Sequence, residues 1–118
     1  MDCLEINDEG IGGDVRILRV SGDVDFDAAP QLKRHIMRRV DAGGLQFVVD
    51  LSAVEFIDST AIGVLVGALR RLDANGGSLL VVCDNEDIRG IFETVGLEHV
   101  IPLYRSHEDA LAALAPAA

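Results

Sequence analysis

Three short runs of aliphatic and β-branched residues, "DVRILRVS" (14–21), "QFVVDL" (46–51) and "SLLVVC" (78–83), are separated by segments whose apolar residues recur every three to four positions. No other feature constrains the fold as strongly. Runs of that length bounded by Gly, Asp or Ser read as buried strands, and the intervening period reads as helix. Leu32, Ile36 and Val40 follow Asp27, a candidate cap, and Pro30, whose missing N–H does no harm in a first turn. Ile62, Leu65, Val66, Leu69 and Leu72 make a second stripe ended by Asn75-Gly76-Gly77. Ile88, Ile91, Phe92 and Val95 make a third, closed by Gly96, and Ser106 with Asp109 opens a fourth helix carrying Leu111 and Leu114. "CLEIN" and "HVIPL" are weaker strands, and "EGIGGD" joins the first of them to the next strand at hairpin length, which predicts an antiparallel pair.

The resulting order, β, β, α, β, α, β, α, β, α, has crossovers long enough to bring successive strands parallel, and such crossovers are right-handed. An α/β sheet covered by helices follows. Loops leaving the carboxyl ends of parallel strands gather at one edge, where sites tend to be built. Here those loops are "SGDVD", "SAVEFIDS" and "DNED".

A chain of 118 residues with 49% hydrophobic and 4% aromatic residues can bury one core of Val, Leu, Ile and Ala. Its net charge of -10 repels phosphate backbones and anionic lipid, and its basic residues form no block longer than Arg38-Arg39 and Arg70-Arg71. Direct nucleic-acid and membrane-surface binding are not expected, whereas partners with a basic face associate faster. Cys3 and Cys83 form no C-x-x-C pair, and Cys83 lies in an apolar run where a free thiol serves as a small core residue. The start "MDCLEIN" lacks a signal peptide's basic and apolar parts, and no apolar run reaches the ~20 residues that span a bilayer, so a cytoplasmic protein without membrane insertion is expected. The last residues of "LAALAPAA" read as a frayed tail.

At the predicted functional edge, "VEFIDSTAIGVLVGAL" (54–69) carries three short polar side chains in a row where one suffices to cap a helix. With Asp58 as the cap, Ile57 and Ile62 occupy the positions of a hydrophobic staple, and Ser59 and Thr60 are extra hydroxyls on the first turn. They serve either as ordinary first-turn residues or, for Ser59, as a phosphoacceptor: a helix start accommodates the added anion, while the acidic edge of Asp23, Asp25 and Asp58 becomes more negative. Gly63 and Gly67 each cost the helix about 1 kcal/mol relative to Ala. Close packing on the sheet accounts for Gly67, and Gly63, nearer the exposed end, is placed to admit a partner.

Other chemistries lack parts. Asp23, Asp25, Asp58 and Asp84 have no EF-hand spacing, and Asp commonly starts helices after strands, so no metal is expected. A phosphoaspartate receiver needs a lysine after a late strand, but the only lysine is Lys33 in the first helix. The sequence contains neither a G-x-S-x-G elbow nor a G-x-x-x-x-G-K phosphate loop, and His35, His99 and His107 read as solvated surface groups. No catalytic residue and no cofactor are expected.

"VVDLSAVEFIDSTAIGVLVGAL" resembles the core of the STAS domain (sulphate transporter and anti-sigma factor antagonist), in which a strand ending in Asp-Leu leads to Asp-Ser-Ser or Asp-Ser-Thr and a Gly-rich helix. "VSGDVDFDAAPQLKRHI" resembles that family's earlier G-x-[LIV]-D loop, which puts Gly22 and Asp25 on the motif, and the chain from "GGSLLVVCDNED" onward resembles its closing part. Ala61 stands where many members carry Gly. The resemblance implies a single domain over residues 2–115, with a STAS-like mixed sheet of four to five strands covered by about four helices. It further implies a non-enzymatic anti-sigma factor antagonist. Unphosphorylated, such a protein binds an ATP-binding anti-sigma factor serine kinase and frees a sigma factor; phosphorylation of Ser59 releases it, and a serine phosphatase resets it. Asp58, Ser59, Thr60, Ile62 and Gly63, with Gly22 and Asp25 across the edge, are the implied partner-binding residues. The alternative is a STAS adaptor or subunit of a transport or other regulatory complex outside any sigma-factor pathway.

Overall fold

The computed structural model describes residues 4–40 and 46–114; Cys3 and the tail after residue 114 lie outside them. Among the described residues, five strands form one mixed sheet in chain order: β1 (Glu5–Gly12), β2 (Val15–Val24), β3 (Gln46–Ile57), β4 (Ser78–Val82) and β5 (Leu103–Tyr104). β1 pairs antiparallel with β2, as the short "EGIGGD" turn predicts, and the remaining pairs are parallel.

Because each parallel strand is added on the same side of its predecessor, right-handed crossovers put every linking helix on one face of the sheet. Accordingly α1 (Ala29–Val40), α2 (Ser59–Ala74) and α3 (Glu86–Thr94) share one buried cluster, in which Leu32 and Ile36, Leu65 and Leu72, and Ile88 and Phe92 meet Leu18, Val49 and Val81 of the sheet. α4 (His107–Leu114) covers part of the other face, where Ala110 packs with Ile17, Val48, Leu80 and Val82. Neighbouring residues such as Ile17 and Leu18, or Val48 and Val49, thus enter opposite clusters, as the two-residue period of a strand requires. Cys83 is fully buried, and burial pushes its thiol above the ordinary range despite the contact with the Asn85 carbonyl.

The strands reach further toward the functional edge than the sequence pattern implies. "SGDVD" and "SAVEFIDS", expected as loops, are strand as far as Val24 and Ile57. Two register shifts explain why: Arg19 to Ser21 faces Asp50 to Ala53, and Gly22 to Asp23 faces Val54 to Phe56, so each shift adds one residue to β3. Before the insertions both faces are covered and Phe47, Val48 and Val49 are buried in succession; past them burial follows a spacing of three. Leu51, Val54 and Ile57 are buried, and the pairs between them, Ser52-Ala53 and Glu55-Phe56, are exposed. Bulges of this kind bend a strand and re-aim its side chains. Gly22 beside the second shift has φ 95°, a conformation that other residues adopt only under strain.

Smaller departures have local causes. Of "HVIPL" only Leu103 is strand, because Gly96 ends α3 and residues Leu97–His99 form a 3-10 turn instead. Val95, expected on the buried face of the third helix, falls past its end and is 55% exposed. His35 and His107, expected as solvated surface groups, are both paired. His35 Nε2 lies 2.8 Å from Asp8, which also accepts from Arg16 (2.7 Å) and Arg39 (2.9 Å), tying β1 and β2 to α1. His107 Nε2 lies 2.5 Å from Asp50, tying the start of α4 to β3. Burial raises both carboxyls, but the hydrogen bonds they accept, from His35 and Arg16 at Asp8 and from the Ser52 amide and His107 at Asp50, outweigh it and hold both below the usual range.

Candidate functional site

The edge is assembled from the carboxyl ends of β2 and β3. Val24 pairs with Ile57, Asp23 with Phe56, and the Asp58 N–H donates to the Val24 carbonyl at 3.3 Å. This register places Asp25, which follows Val24, beside the start of α2, with Gly22 further back opposite Val54, so the two separated stretches that the sequence singles out meet along this edge.

Asp58 is the N-cap in extended conformation (φ -115°, ψ -180°). A single carboxylate oxygen, Oδ1, accepts from the Thr60 amide (3.0 Å) and the Ala61 amide (3.1 Å), while the Asp58 carbonyl accepts the first helical bond from Ile62 (3.1 Å). Ile57 and Ile62 are both buried, as a hydrophobic staple requires. Capping is therefore complete without Ser59 or Thr60, whose side chains are exposed on the first turn. Ala61 is fully buried and packs in the core.

Two expectations need correction. Ile62 is 7% exposed and belongs to the core cluster, because the staple turns it inward; it offers a partner almost no surface. Gly67 does not pack tightly on the sheet: it is exposed, and a Cβ there or at Gly63 would meet nothing within 4 Å. Gly67→Ala is accordingly expected to stabilise the fold by about 0.5–1 kcal/mol through lower unfolded-state entropy, read from the urea midpoint. Destabilisation would mean that the site is not open.

Across the edge Asp25, not Asp27, shapes the entry to α1. Its carbonyl accepts from the Ala28 (3.1 Å) and Ala29 (2.8 Å) amides, and its Oδ1 from the Ala28 amide (3.0 Å). The turn so formed leaves Phe26 71% exposed, and the bulged end of β3 leaves Phe56 49% exposed. Neither aromatic stands out from the sequence. Phe56 falls in "SAVEFIDS", expected as a loop, and as a strand residue it is exposed beside Glu55 because of the second register shift. Asp84, in the loop after β4 as expected, lies 3.8 Å from Arg105, which also pairs with Glu86 at 2.5 Å. Among the described residues, no three His, Cys, Asp or Glu side chains are placed to hold a metal ion. No helix among them is long and apolar enough to cross a membrane.

The edge thus presents an exposed hydroxyl among acidic side chains, with its helix cap already satisfied. The STAS domain family profile matches residues 5–110, and the chain belongs to that family. It is 32% identical to an anti-sigma factor antagonist from Mycobacterium paratuberculosis whose crystal structure superposes with a TM-score of 0.84, covering 93% of this chain and 92% of that one. It is also 25% identical to the anti-sigma F factor antagonist of Paenibacillus polymyxa over 85% of this chain and 86% of that protein. Similarity to the anti-sigma-B factor antagonist of Staphylococcus epidermidis is 29% identity over 71% and 78%.

Proposed function

We propose that this chain is an anti-sigma factor antagonist that switches partners through Ser59. Unmodified, it binds an anti-sigma factor that is also an ATP-dependent serine kinase, and so frees a sigma factor. The kinase then moves the γ-phosphoryl group of ATP onto the Ser59 oxygen: the bond to the ADP oxygen breaks, the new P–O bond forms, and the hydroxyl proton leaves to a base on the kinase. A serine phosphatase hydrolyses that ester and resets the cycle. The antagonist contributes an acceptor and a docking face, not catalysis, and works in the cytoplasm with its sigma factor.

The observation that carries this reading is the exposed Ser59 side chain on a first turn whose cap, Asp58, is independently complete. The names borne by the similar proteins favour the same role. Gly22, Asp25, Asp58, Thr60 and Gly63 complete the proposed docking face, and each is at least partly exposed. Release follows from charge. To receive phosphate, Ser59 must lie against the polyphosphate of the bound nucleotide; once modified it holds roughly -1.5 to -2 charges there, next to Asp58, in a seat sized for a hydroxyl.

Size-exclusion chromatography of the complex with the kinase tests the cycle. Adding ATP should free the wild-type chain within the labelling time, while Ser59→Ala, which keeps the docking face, should stay bound. Equal behaviour of the two would overturn the switch and leave the reading of a constitutive STAS adaptor.

A further inference from the structure

Four phenylalanines are present in the chain. Phe47 and Phe92 are fully buried in the core, whereas Phe26 is 71% and Phe56 49% exposed. Both exposed rings belong to the edge that carries Ser59: Phe56 pairs with Asp23, three residues before Phe26. Neither position is a casual surface site. Phe26 sits in the turn that Asp25 closes with its carbonyl and its carboxylate, and Phe56 follows the residue that the second register shift adds to β3. A strand in plain register would alternate, whereas here Glu55 and Phe56 both face outward.

The charge on the two segments that carry these rings is of one sign. Asp23, Asp25, Asp27, Glu55 and Asp58 lie on the same two segments, and no Lys or Arg occurs between Arg19 and Lys33 or between Arg39 and Arg70. That pattern selects the occupant. A second copy of this face would bring like charge against like charge, and anionic lipid or nucleic acid would be repelled. A protein surface with an apolar pocket rimmed by Lys and Arg is complementary in both respects.

We infer that Phe26 and Phe56 are the apolar anchors by which this edge docks on its kinase, entering apolar pockets flanked by basic side chains on either side of the nucleotide cleft that receives Ser59. This rests on the partner-switching reading above and adds to it the residues that hold the complex together. Buried aromatic side chains ringed by polar contacts commonly dominate interface affinity, while the rim governs association rate. Attraction at the acidic rim and repulsion at phosphorylated Ser59 act at different places, so one face can both recruit the kinase and be expelled by it.

The test uses the anti-sigma factor kinase that labels Ser59 of the wild-type chain. Its affinity for Phe26→Ala and Phe56→Ala is measured by calorimetry, and label on Ser59 is followed at kinase concentrations below the wild-type Kd. Each substitution should weaken binding about 10-fold or more and slow labelling in parallel, with an unchanged melting curve, since neither ring is part of the core. Val95→Ala and Val100→Ala, which alter exposed aliphatic residues beyond the far end of α3, serve as controls and should bind as wild type. Wild-type affinity for both Phe variants, with Ser59 labelled normally, would overturn the anchoring role and leave the switch standing. Failure of every anti-sigma factor kinase from the same cell to label or bind the wild-type chain would overturn the switch itself. High salt should slow association without abolishing the difference between wild type and the Phe variants; loss of that difference would assign recognition to charge alone.

Discussion

Phosphorylated on Ser59, the chain is expected to bind its kinase at least ~100-fold more weakly than the unmodified chain, a difference of about 3 kcal/mol, while its melting curve hardly moves. The two halves of this expectation come from the same few ångströms. Asp58 Oδ1 already satisfies the Thr60 and Ala61 amides, so the phosphate is not needed for capping and need not displace the cap. Its charge gains roughly 0.3–1 kcal/mol from the helix dipole and loses a comparable amount to Asp58, leaving the fold near its original stability. Nothing comparable offsets the repulsion inside a docked complex, where water is excluded and the nucleotide's phosphates are close. Ser59→Asp should reproduce the loss in part, because one carboxylate carries less charge and fewer acceptors than phosphate. Isothermal titration of the three forms, with their melting curves, measures both halves. Equal affinities, or a collapse of the fold on phosphorylation, would each contradict the mechanism.

The second large effect concerns the support of that edge. Phe47 is fully buried at the centre of the sheet, between Arg16 of β2 and Leu79 of β4, and it is among the largest side chains in the main cluster. Phe47→Ala removes most of a ring from a close-packed site that cannot fully collapse around the gap, and should cost about 3–5 kcal/mol. Against a typical total of 5–15 kcal/mol this is a large share, and for a domain of this size it corresponds to a melting point lower by roughly 10–20 °C. The residual folded protein should still expose Ser59 and be labelled at that position, since Phe47 lies ten residues before the bulged end of β3 that reaches Ile57. A loss below about 1 kcal/mol in urea unfolding would show that the site relaxes around the cavity and that the core is looser than its burial implies.

Element order and the capping chemistry were legible in the sequence because both are written in local spacing. Leu32, Ile36 and Val40 follow the helical period and are buried as that period requires; Asp58 and Ser106 each accept from the first turn as short polar caps do, although at α1 that role falls to Asp25 and not Asp27. The second half of β3 was not legible, since its two register shifts replace the strand's own period with a spacing of three, Leu51, Val54 and Ile57, that belongs to no regular element. From the same cause the stretch that carries Phe56 reads as a loop. Phe26 escapes notice because one aromatic between two aspartates carries no period at all. The pairing of His35 with Asp8 spans 27 residues and that of His107 with Asp50 spans 57, so neither leaves a local trace. Gly67 misleads in the other direction: glycine in a helix usually marks close approach, yet here the space above it is open.

Within the site, the convergence of the two stretches was legible, because the carboxyl ends of neighbouring parallel strands meet at one edge, and Val24, just before Asp25, pairs with Ile57, just before Asp58. The sequence places Ile62 on the partner face wrongly, since membership of the motif says nothing about which side of the first turn faces the core. Helical geometry decides that, and the staple with Ile57 turns Ile62 inward while Ser59, Thr60 and Gly63 remain outside.

Fragmentation mass spectrometry of the chain after incubation with its kinase and ATP bears most directly on the whole account. A single phosphate on Ser59, absent from the Ser59→Ala variant, is the predicted result. Phosphate on the neighbouring exposed Thr60, or an unmodified chain after complete ATP turnover, would contradict it.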